Sequence, residues 1–196
     1  MTSLISLILA YKYLILFPLV VIEGPLVMMI SGFLVKLGYL DFILTFLVLL
    51  IGDLFADVFW YGMGHWFGMS FIKKFGKFFN ITEQGVEKVK NIFLKYHSTI
   101  LFVSKVTIGL GFALVTLVTA GLVKIPLRRF TFWNALGGLL LTSGLMLIGF
   151  SLGNFYLKVD GILGKLSVLA LFVVVFIALV GIAKYMRHKF STKDFL

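Results

Sequence analysis

Long apolar runs make up most of this chain, and short polar stretches separate them. A helix needs about 20 residues to cross the hydrocarbon core of a bilayer. Three runs reach that length, at residues 40–66, 130–156 and 166–186. The pattern therefore predicts an all-α integral membrane protein with spanning helices over these three runs.

Two further apolar stretches, residues 14–37 and 98–123, are interrupted near their middle. In the first, glycine loosens the helix and proline removes a backbone donor. Non-helical backbone at membrane depth is tolerated only where protein or a watery cavity surrounds it. We therefore expect each stretch to enter the bilayer and return as a re-entrant hairpin. The interrupting residues are Glu23, Gly24 and Pro25 in the first stretch, and Lys105, Gly109 and Gly111 in the second.

Basic residues concentrate in segment 73–95, in the group Lys124, Arg128 and Arg129, and in the tail 184–193. The excess of Lys and Arg in membrane proteins belongs to the cytoplasmic loops. A hairpin over 98–123 places all three groups on one side, whereas a single crossing would separate the first two. Topology thus accounts for the net charge of +10, and nucleic-acid binding is not expected.

A broken hairpin followed by a spanning helix occurs twice, over residues 14–66 and 98–156. Because the two hairpins enter from opposite faces, the sequence predicts an inverted repeat, which is typical of transporters with a site where the breaks meet. We expect one domain over residues 1–196. Its remaining parts are a polar cytoplasmic amphipathic segment (67–97), a C-terminal transmembrane helix (166–186) and a basic cytoplasmic tail (187–196).

In the amphipathic segment, Thr82 and Glu83 predict the start of a helix. This helix carries one apolar stripe, which we expect to lie on the membrane surface. Glycines on the later helices are expected to form packing faces between helices. The stripe is Val86, Val89, Phe93 and Tyr96, and the glycines are Gly137, Gly138, Gly149 and Gly153.

Composition agrees with a membrane protein, since 61% of the residues are hydrophobic, against roughly 45–50% in soluble domains. The absence of cysteine excludes disulfides and thiolate metal sites. The three histidines lack the spacing of metal ligands, so we expect neither a metal nor a cofactor. The first residues lack the basic region of a signal peptide, so we expect an uncleaved chain.

Asp53 and Asp57 lie four residues apart and so share one helix face. A carboxylate at bilayer depth costs roughly 2.5–3.5 kcal/mol, which favours a functional role. With Glu23, these acids outnumber the base Lys105, so we interpret the acids as proton-coupling candidates and Lys105 as a contact for a phosphate. Two alternatives stay open: the aspartates pair with loop lysines at the interface, or Lys105 forms a structural ion pair with Glu23 or Asp53.

Four other residues are secondary candidates. Asn134 is expected to form a hydrogen bond across helices. Tyr61 is expected to be an anchor at the membrane interface, where aromatic residues are enriched. Arg128 and Arg129 are expected at the inner boundary, close to anionic headgroups.

Two blocks of residues carry a family resemblance. They resemble, in order and in spacing, the signature of the DedA family, the bacterial relatives of the SNARE-associated membrane proteins, over about residues 15–155. The first block reads Gly52-Asp53-x-x-Ala56-Asp57-x-x-x-Tyr61-x-x-Gly64-His65-x-x-Gly68. The second comprises Lys95-Tyr96-His97, Phe102-Val103-Ser104-Lys105 and Ala120-Gly121-x-x-x-x-Pro126-x-Arg128-Arg129-Phe130-x-x-x-Asn134-x-x-Gly137.

The chain departs from the family pattern at the charged positions. Where the family has Arg-x-x-Pro-Gly-x-Arg, this chain has Lys105, Ile108, Gly109 and Gly111. The family commonly carries two acids in the first hairpin, where this chain has Glu23 alone. Lysine is a point charge and does not replace a forked guanidinium on a phosphate.

The resemblance implies two opposed re-entrant hairpins with flanking spanning helices, and the movement of lipids across the membrane, with proton coupling in some members. We therefore predict a non-enzymatic transporter of phospholipid or polyprenyl phosphate in the cell membrane, with a cytoplasmic C-terminus. Its partners are lipid phosphate headgroups and protons, and homo-oligomerisation is left open. A scaffold that stabilises other membrane proteins, or an enzyme acting on lipid phosphate, are the alternatives.

Overall fold

A computed structural model describes residues 2–75, 83–96, 99–106, 113–162, 164–167, 170–175, 177–178 and 181. The described elements are all helices, as the sequence predicts. They are α1 (Thr2–Ile22), α2 (Gly24–Lys36), α3 (Phe42–Phe75), α4 (Glu83–Tyr96), α5 (Thr99–Val106), α6 (Ala113–Leu122) and α7 (Leu127–Lys158). The described residues of 164–175 are helical as well, and this stretch starts two residues before the predicted C-terminal helix (166–186).

Two of the described helices are long and apolar enough to cross a membrane, over Phe42–Ser70 and Leu127–Lys158. One side of α3 is exposed and apolar at every fourth position, which is one face of a helix. Soluble monomers rarely expose so continuous an apolar surface, whereas lipid solvates it. The all-helical architecture is thus consistent with a membrane protein. The exposed residues are Ile43, Leu47, Ile51, Phe55 and Phe59.

The predicted break in the first hairpin is confirmed. Helix α1 ends at Ile22, Glu23 has non-helical dihedrals (φ −139°, ψ 80°), and α2 begins at Gly24. Pro25 occupies the first turn of α2, where its missing N–H breaks no helical hydrogen bond. That α1 and α2 enter and leave by the same membrane face is still a prediction.

Helices α2 and α6 end in the same way. At the end of α2, Gly38 has φ 79°, and the Tyr39 N–H donates to the Leu34 carbonyl over 3.0 Å. At the end of α6, Lys124 has φ 58°, and the Ile125 N–H donates to the Ala120 carbonyl over 3.1 Å. Both helices end at a residue in the left-handed backbone conformation, which favours glycine. Only α2 has a glycine at this position.

The second hairpin is described on both sides of its predicted bend. Helices α5 and α6 pack together, whereas Gly109 and Gly111 lie outside the described residues. Helix α4 starts at Glu83, as predicted, and packs against α5 and α6. Its apolar stripe is buried at Val86, Val89 and Phe93. Protein therefore covers this face, and the expectation that the helix contacts the membrane surface through the stripe is wrong.

The chain forms two compact units. The first comprises residues 1–53 and 142–176, and therefore α1, α2, the start of α3 and the end of α7. The second comprises residues 54–141 and 177–196, and therefore the rest of α3, helices α4 to α6 and the start of α7.

Each unit contains one helix crossing in which two glycines meet the opposing backbone. In the first unit, a Cβ on Gly32 of α2 would overlap the Met146 carbonyl, and a Cβ on Gly149 of α7 would overlap the Met29 carbonyl. Each glycine thus contacts the residue three positions before the other glycine. The packing role expected of Gly149 is confirmed.

The second unit repeats this pattern between α3 and α6. Gly64 lies against the Val118 carbonyl, and Gly121 lies against the Tyr61 carbonyl. The offset of three residues is the same on both helices. Two separate pairs of glycines therefore hold a hairpin helix against a long helix by the same reciprocal contact.

The long helices differ in extent from the sequence prediction. Helix α7 runs from Leu127 to Lys158 and exceeds the predicted 130–156 at both ends. Helix α3 continues past residue 66 to Phe75, with a kink at Gly68, where φ is 53° and ψ −138°. A residue with a side chain rarely adopts that conformation, which explains the glycine at this place in the first motif.

Candidate functional site

The second unit contains a buried contact of three polar side chains. The Lys105 Nζ lies 2.6 Å from the Asp57 Oδ2, with the two side chains 12% and 6% exposed. Asn134, which is also buried, donates from Nδ2 to the same oxygen over 3.0 Å. Two donors from two other helices thus converge on one carboxylate oxygen.

The local sequence explains how the three residues meet. Asp57 lies on the buried side of α3, away from the exposed apolar face defined by Phe55 and Phe59. Lys105 lies in the last turn of α5, where the helix dipole favours a cation. Asn134 lies in α7, and Gly137 follows it by one turn on the same face.

Gly137 makes room for the lysine. A Cβ on Gly137 would stand 2.7 Å from the Lys105 Cβ, so a larger residue would displace the lysine stem. The spacing Asn134-x-x-Gly137 in the second motif therefore has a direct structural reason: one residue holds Asp57, and the other lets Lys105 reach it.

The electrostatics of the contact favour charged Lys105 and charged Asp57 together. Removing two ions from water costs several kcal/mol each, and good geometry with additional hydrogen bonds compensates this cost. The Asn134 amide supplies one such hydrogen bond. The contact is therefore stable when internally neutral, and an external anion that reaches Lys105 competes with Asp57.

Hydroxyl groups connect the two arms of the second hairpin next to this contact. The Ser104 Oγ donates to the Thr116 Oγ1 over 3.4 Å, from α5 to α6. Ser104 precedes Lys105 directly, so this hydrogen bond helps to fix the turn that carries the lysine.

In the first unit, Asp53 is buried beside the break of the first hairpin. Its Oδ1 lies 3.6 Å from the position of a Cβ on Gly24, the first residue of α2. The N-terminus of a helix stabilises a nearby carboxylate through its free N–H groups and dipole. Glu23, a predicted proton-coupling candidate, is exposed at this break.

The structure shows a partner of Lys105 that the sequence analysis did not name. The structural alternative considered Glu23 or Asp53, and the contact described here is with Asp57. Helix periodicity places Asp53 and Asp57 on one face but does not determine which of them stands level with a residue of another helix. The bond expected of Asn134 across helices is confirmed.

Tyr61 is a core residue, and its prediction as an interfacial anchor is wrong. Its side chain is 7% exposed and its ring lies 4.5 Å from the ring of Phe130. The Tyr61 hydroxyl donates to the Ile125 carbonyl over 2.6 Å. A buried tyrosine is stable when its hydroxyl has such a partner, and this one attaches α3 to the turn after α6.

Two other predicted residues lie at the start of α7. Arg128 and Arg129 are exposed in the first turn of α7. Among the residues that the structure describes, no group of three His, Cys, Asp or Glu side chains has the geometry to hold a metal ion.

An apolar cleft of about 300 Å³ lies in the first unit, between α2, the start of α3 and the second half of α7. Only apolar residues line it, so it offers no group for a charged ligand. The lining residues are Gly32, Val35, Phe42, Met146, Leu147 and Phe150.

Comparison with known proteins places these features in a family. The chain is 26% identical over 175 residues, 89% of its length and 85% of the relative's, to Undecaprenyl phosphate transporter A of Bacillus subtilis (strain 168). No solved structure matches the chain. Residues 20–151 match the model of the VTT domain, a range that includes both sequence motifs and the contact of Asp57, Lys105 and Asn134. The chain therefore belongs to the VTT-domain family, the DedA/SNARE-associated membrane proteins.

Proposed function

We propose that this protein moves a lipid with a phosphate headgroup, undecaprenyl phosphate or a phospholipid, between the leaflets of the cell membrane. The observation that carries the proposal is the buried Lys105, whose ammonium group lies 2.6 Å from the Asp57 Oδ2. A cation buried among helices whose outer face is apolar is placed to receive an anionic headgroup. The name of the Bacillus relative, a transporter of such a lipid, supports this substrate class.

The topology belongs to the same proposal. Both hairpins enter the membrane from opposite faces as an inverted repeat, and the C-terminal tail lies in the cytoplasm. The repeated glycine crossing in the two units supports an internal repeat, since the same reciprocal contact with the same offset arises twice. In this arrangement the substrate site lies in the second unit, where Lys105 meets Asp57.

Within this site, Lys105 contributes the charge for the headgroup. The acids Glu23, Asp53 and Asp57 are the candidates for proton uptake and release. Arg128 and Arg129, exposed at the start of α7, attract anionic headgroups at the inner boundary. The protein acts without a cofactor and is not an enzyme.

Transport is tested with the purified protein in liposomes of zwitterionic phosphatidylcholine. Undecaprenyl phosphate is added in one set and phosphatidylglycerol in another, and the fraction accessible from outside is followed with and without a pH gradient. The parental protein is expected to equilibrate at least one of the two lipids between leaflets, and Lys105→Ala is expected to abolish this movement. Movement at the parental rate by Lys105→Ala would refute the role of the lysine.

The same assay separates transport from a scaffold function. A scaffold requires a folded, inserted protein but no movement of lipid, so a folded parental protein that leaves both lipids in place would favour the scaffold. An enzyme acting on lipid phosphate is disfavoured by the geometry, because His65 is exposed and lies eight residues beyond Asp57. Release of inorganic phosphate in the liposome assay would revive the enzyme alternative.

A further inference from the structure

The contact of Lys105 with Asp57 has a consequence for any anion that binds the lysine. We infer that Asp57 is the internal competitor of the substrate phosphate: its carboxylate occupies Lys105 in the empty site, and a proton on Asp57 releases the lysine to the headgroup. The inference rests on the proposed function and extends it, because it couples binding of one phosphate to uptake of one proton.

The geometry supports competition over simultaneous binding. The Lys105 Nζ and the Asn134 Nδ2 both approach the Asp57 Oδ2, over 2.6 and 3.0 Å. A phosphate on Lys105 next to a charged Asp57 would place two anions against one cation at low exposure. Two negative charges at such a short distance repel each other strongly, so either the phosphate or the Asp57 carboxylate must leave or become neutral. Adding a proton to Asp57 removes that conflict without moving a helix.

Among the described residues, the helices around Asp57 offer few other charges that could take over either role. On α5, Lys105 is the charged residue, and α6 (Ala113–Leu122) has no titratable side chain. On α7, Arg128 and Arg129 stand six and five residues before Asn134 and are exposed. On α3 itself, Asp53 and Tyr61 lie one turn on either side, and Tyr61 donates to the Ile125 carbonyl. On α4, Glu87 is exposed and Lys90 is partly exposed.

Asn134 is the positioning residue of this exchange. Its amide donates to the charged carboxylate, so it holds the Asp57 Oδ2 in place in the empty site. After Asp57 takes up a proton, the carboxyl oxygen still accepts from the amide. The amide therefore keeps Asp57 in position through both states while Lys105 changes partner.

The sign of the pH effect distinguishes this exchange from titration of the lipid. A phosphate monoester loses its second charge as the pH falls through about 6, which weakens its attraction to a lysine. Protonation of Asp57 acts in the opposite direction, because it removes the competitor. Tighter binding at lower pH therefore indicates a group on the protein, a carboxylate or a histidine, and not the headgroup. The variant Asp57→Asn then distinguishes the carboxylate from a histidine.

The test uses the full-length protein in phosphatidylcholine nanodiscs, with farnesyl phosphate as a short polyprenyl monophosphate probe. Binding is measured by titration calorimetry between about pH 8 and about pH 5.5, a range that spans the ionisation of the monoester. The parental protein is expected to bind more tightly at the lower pH. Asp57→Asn is expected to bind at least about tenfold more tightly than the parental protein at the higher pH, since close charge pairs are worth about 1.5 kcal/mol or more. Its binding should no longer tighten on acidification.

Three further variants make the result interpretable. Asp160→Asn, which neutralises an exposed acid after α7, is the matched control and should reproduce the parental profile. Lys105→Ala should lose binding at both pH values. If Asp57→Asn keeps the parental profile while Asp53→Asn loses it, the inference is overturned and the coupling acid is Asp53. A cooperative thermal unfolding transition of Asp57→Asn, above the temperature of the binding measurement, shows that the variant is folded.

Failure of the proposed function gives a different pattern. If the parental protein binds no probe at either pH and moves no lipid in liposomes, the function and the inference both fail. If Lys105→Ala abolishes binding but Asp57→Asn neither tightens it nor alters its pH dependence, only the inference fails.

Discussion

Lys105 passes α7 directly over Gly137, where an added Cβ would stand 2.7 Å from the Lys105 Cβ. The lysine therefore reaches Asp57 only because α7 has no side chain at this position. Asn134 and Gly137, one helical turn apart, form a pair in which one residue binds the carboxylate and the other admits the cation.

Gly137→Ala is expected to lower both stability and lipid movement, because overpacking costs about 1–3 kcal/mol and displaces Lys105 from Asp57. Thermal unfolding in detergent and the liposome assay measure the two effects. Gly144→Ala, on the same helix with open space around it, is the control and should be neutral or stabilising by up to about 1 kcal/mol. Equal behaviour of the two variants would contradict the close contact at Gly137.

Tyr61→Phe removes the hydroxyl that donates to the Ile125 carbonyl while keeping the buried ring. We expect a loss of about 1 kcal/mol in the free energy of unfolding, typical of one hydrogen bond to a buried acceptor. Tyr39→Phe, on an exposed side chain, should change stability little. An unchanged unfolding temperature for Tyr61→Phe would show that the hydrogen bond contributes nothing.

Lys124→Gly is expected to stabilise the protein. Lys124 has φ 58°, and a left-handed conformation costs a residue with a Cβ about 1–2 kcal/mol. The greater freedom of glycine in the unfolded chain offsets about 0.4–1 kcal/mol, which leaves a net gain of roughly 1 kcal/mol. Lys124→Ala keeps the Cβ and should bring no gain in stability. Equal stabilisation by both variants would show that the loss of the charge, and not of the Cβ, causes the effect.

The proposed topology is tested by labelling of single cysteines, which is straightforward in a chain without cysteine. Cysteines at positions 77, 126 and 190 should react with an impermeant reagent from the cytoplasmic side, and one at position 161 from the outside. Labelling of 77 and 126 from opposite faces would show that 98–123 crosses the membrane once and would contradict the hairpin.

Features that depend on neighbouring residues were predictable from the sequence. The break at Glu23, Gly24 and Pro25 follows from the conformations that Gly and Pro favour, and it lies where predicted. The start of α4 at Glu83 follows from similar local preferences. The length of the apolar runs likewise predicts the two long helices to within a few residues, except where α3 continues through the kink at Gly68.

Features that depend on contacts between distant helices were harder to predict. Lys105 and Asp57 are 48 residues apart, and nothing local states which turn of α3 faces α5. From the sequence, Tyr61 fits the membrane interface and the core equally well. Its place in the core depends on the Ile125 carbonyl, a distant acceptor for its hydroxyl. The stripe of α4 was recognised, but its amphipathic pattern does not distinguish lipid from α5 and α6 as the apolar partner.

The reciprocal glycine crossings bear on how far such a chain can diverge. At Gly32 and Gly149, and again at Gly64 and Gly121, the tightest approach between helices is made by main-chain atoms, which every amino acid shares. Replacing the side chains around these four points alters the surface of the helices without altering the distance between their axes. A lineage that keeps a small residue at each point can exchange most of its other residues and keep the helix packing. An identity as low as the 26% between this chain and the Bacillus transporter is compatible with such packing.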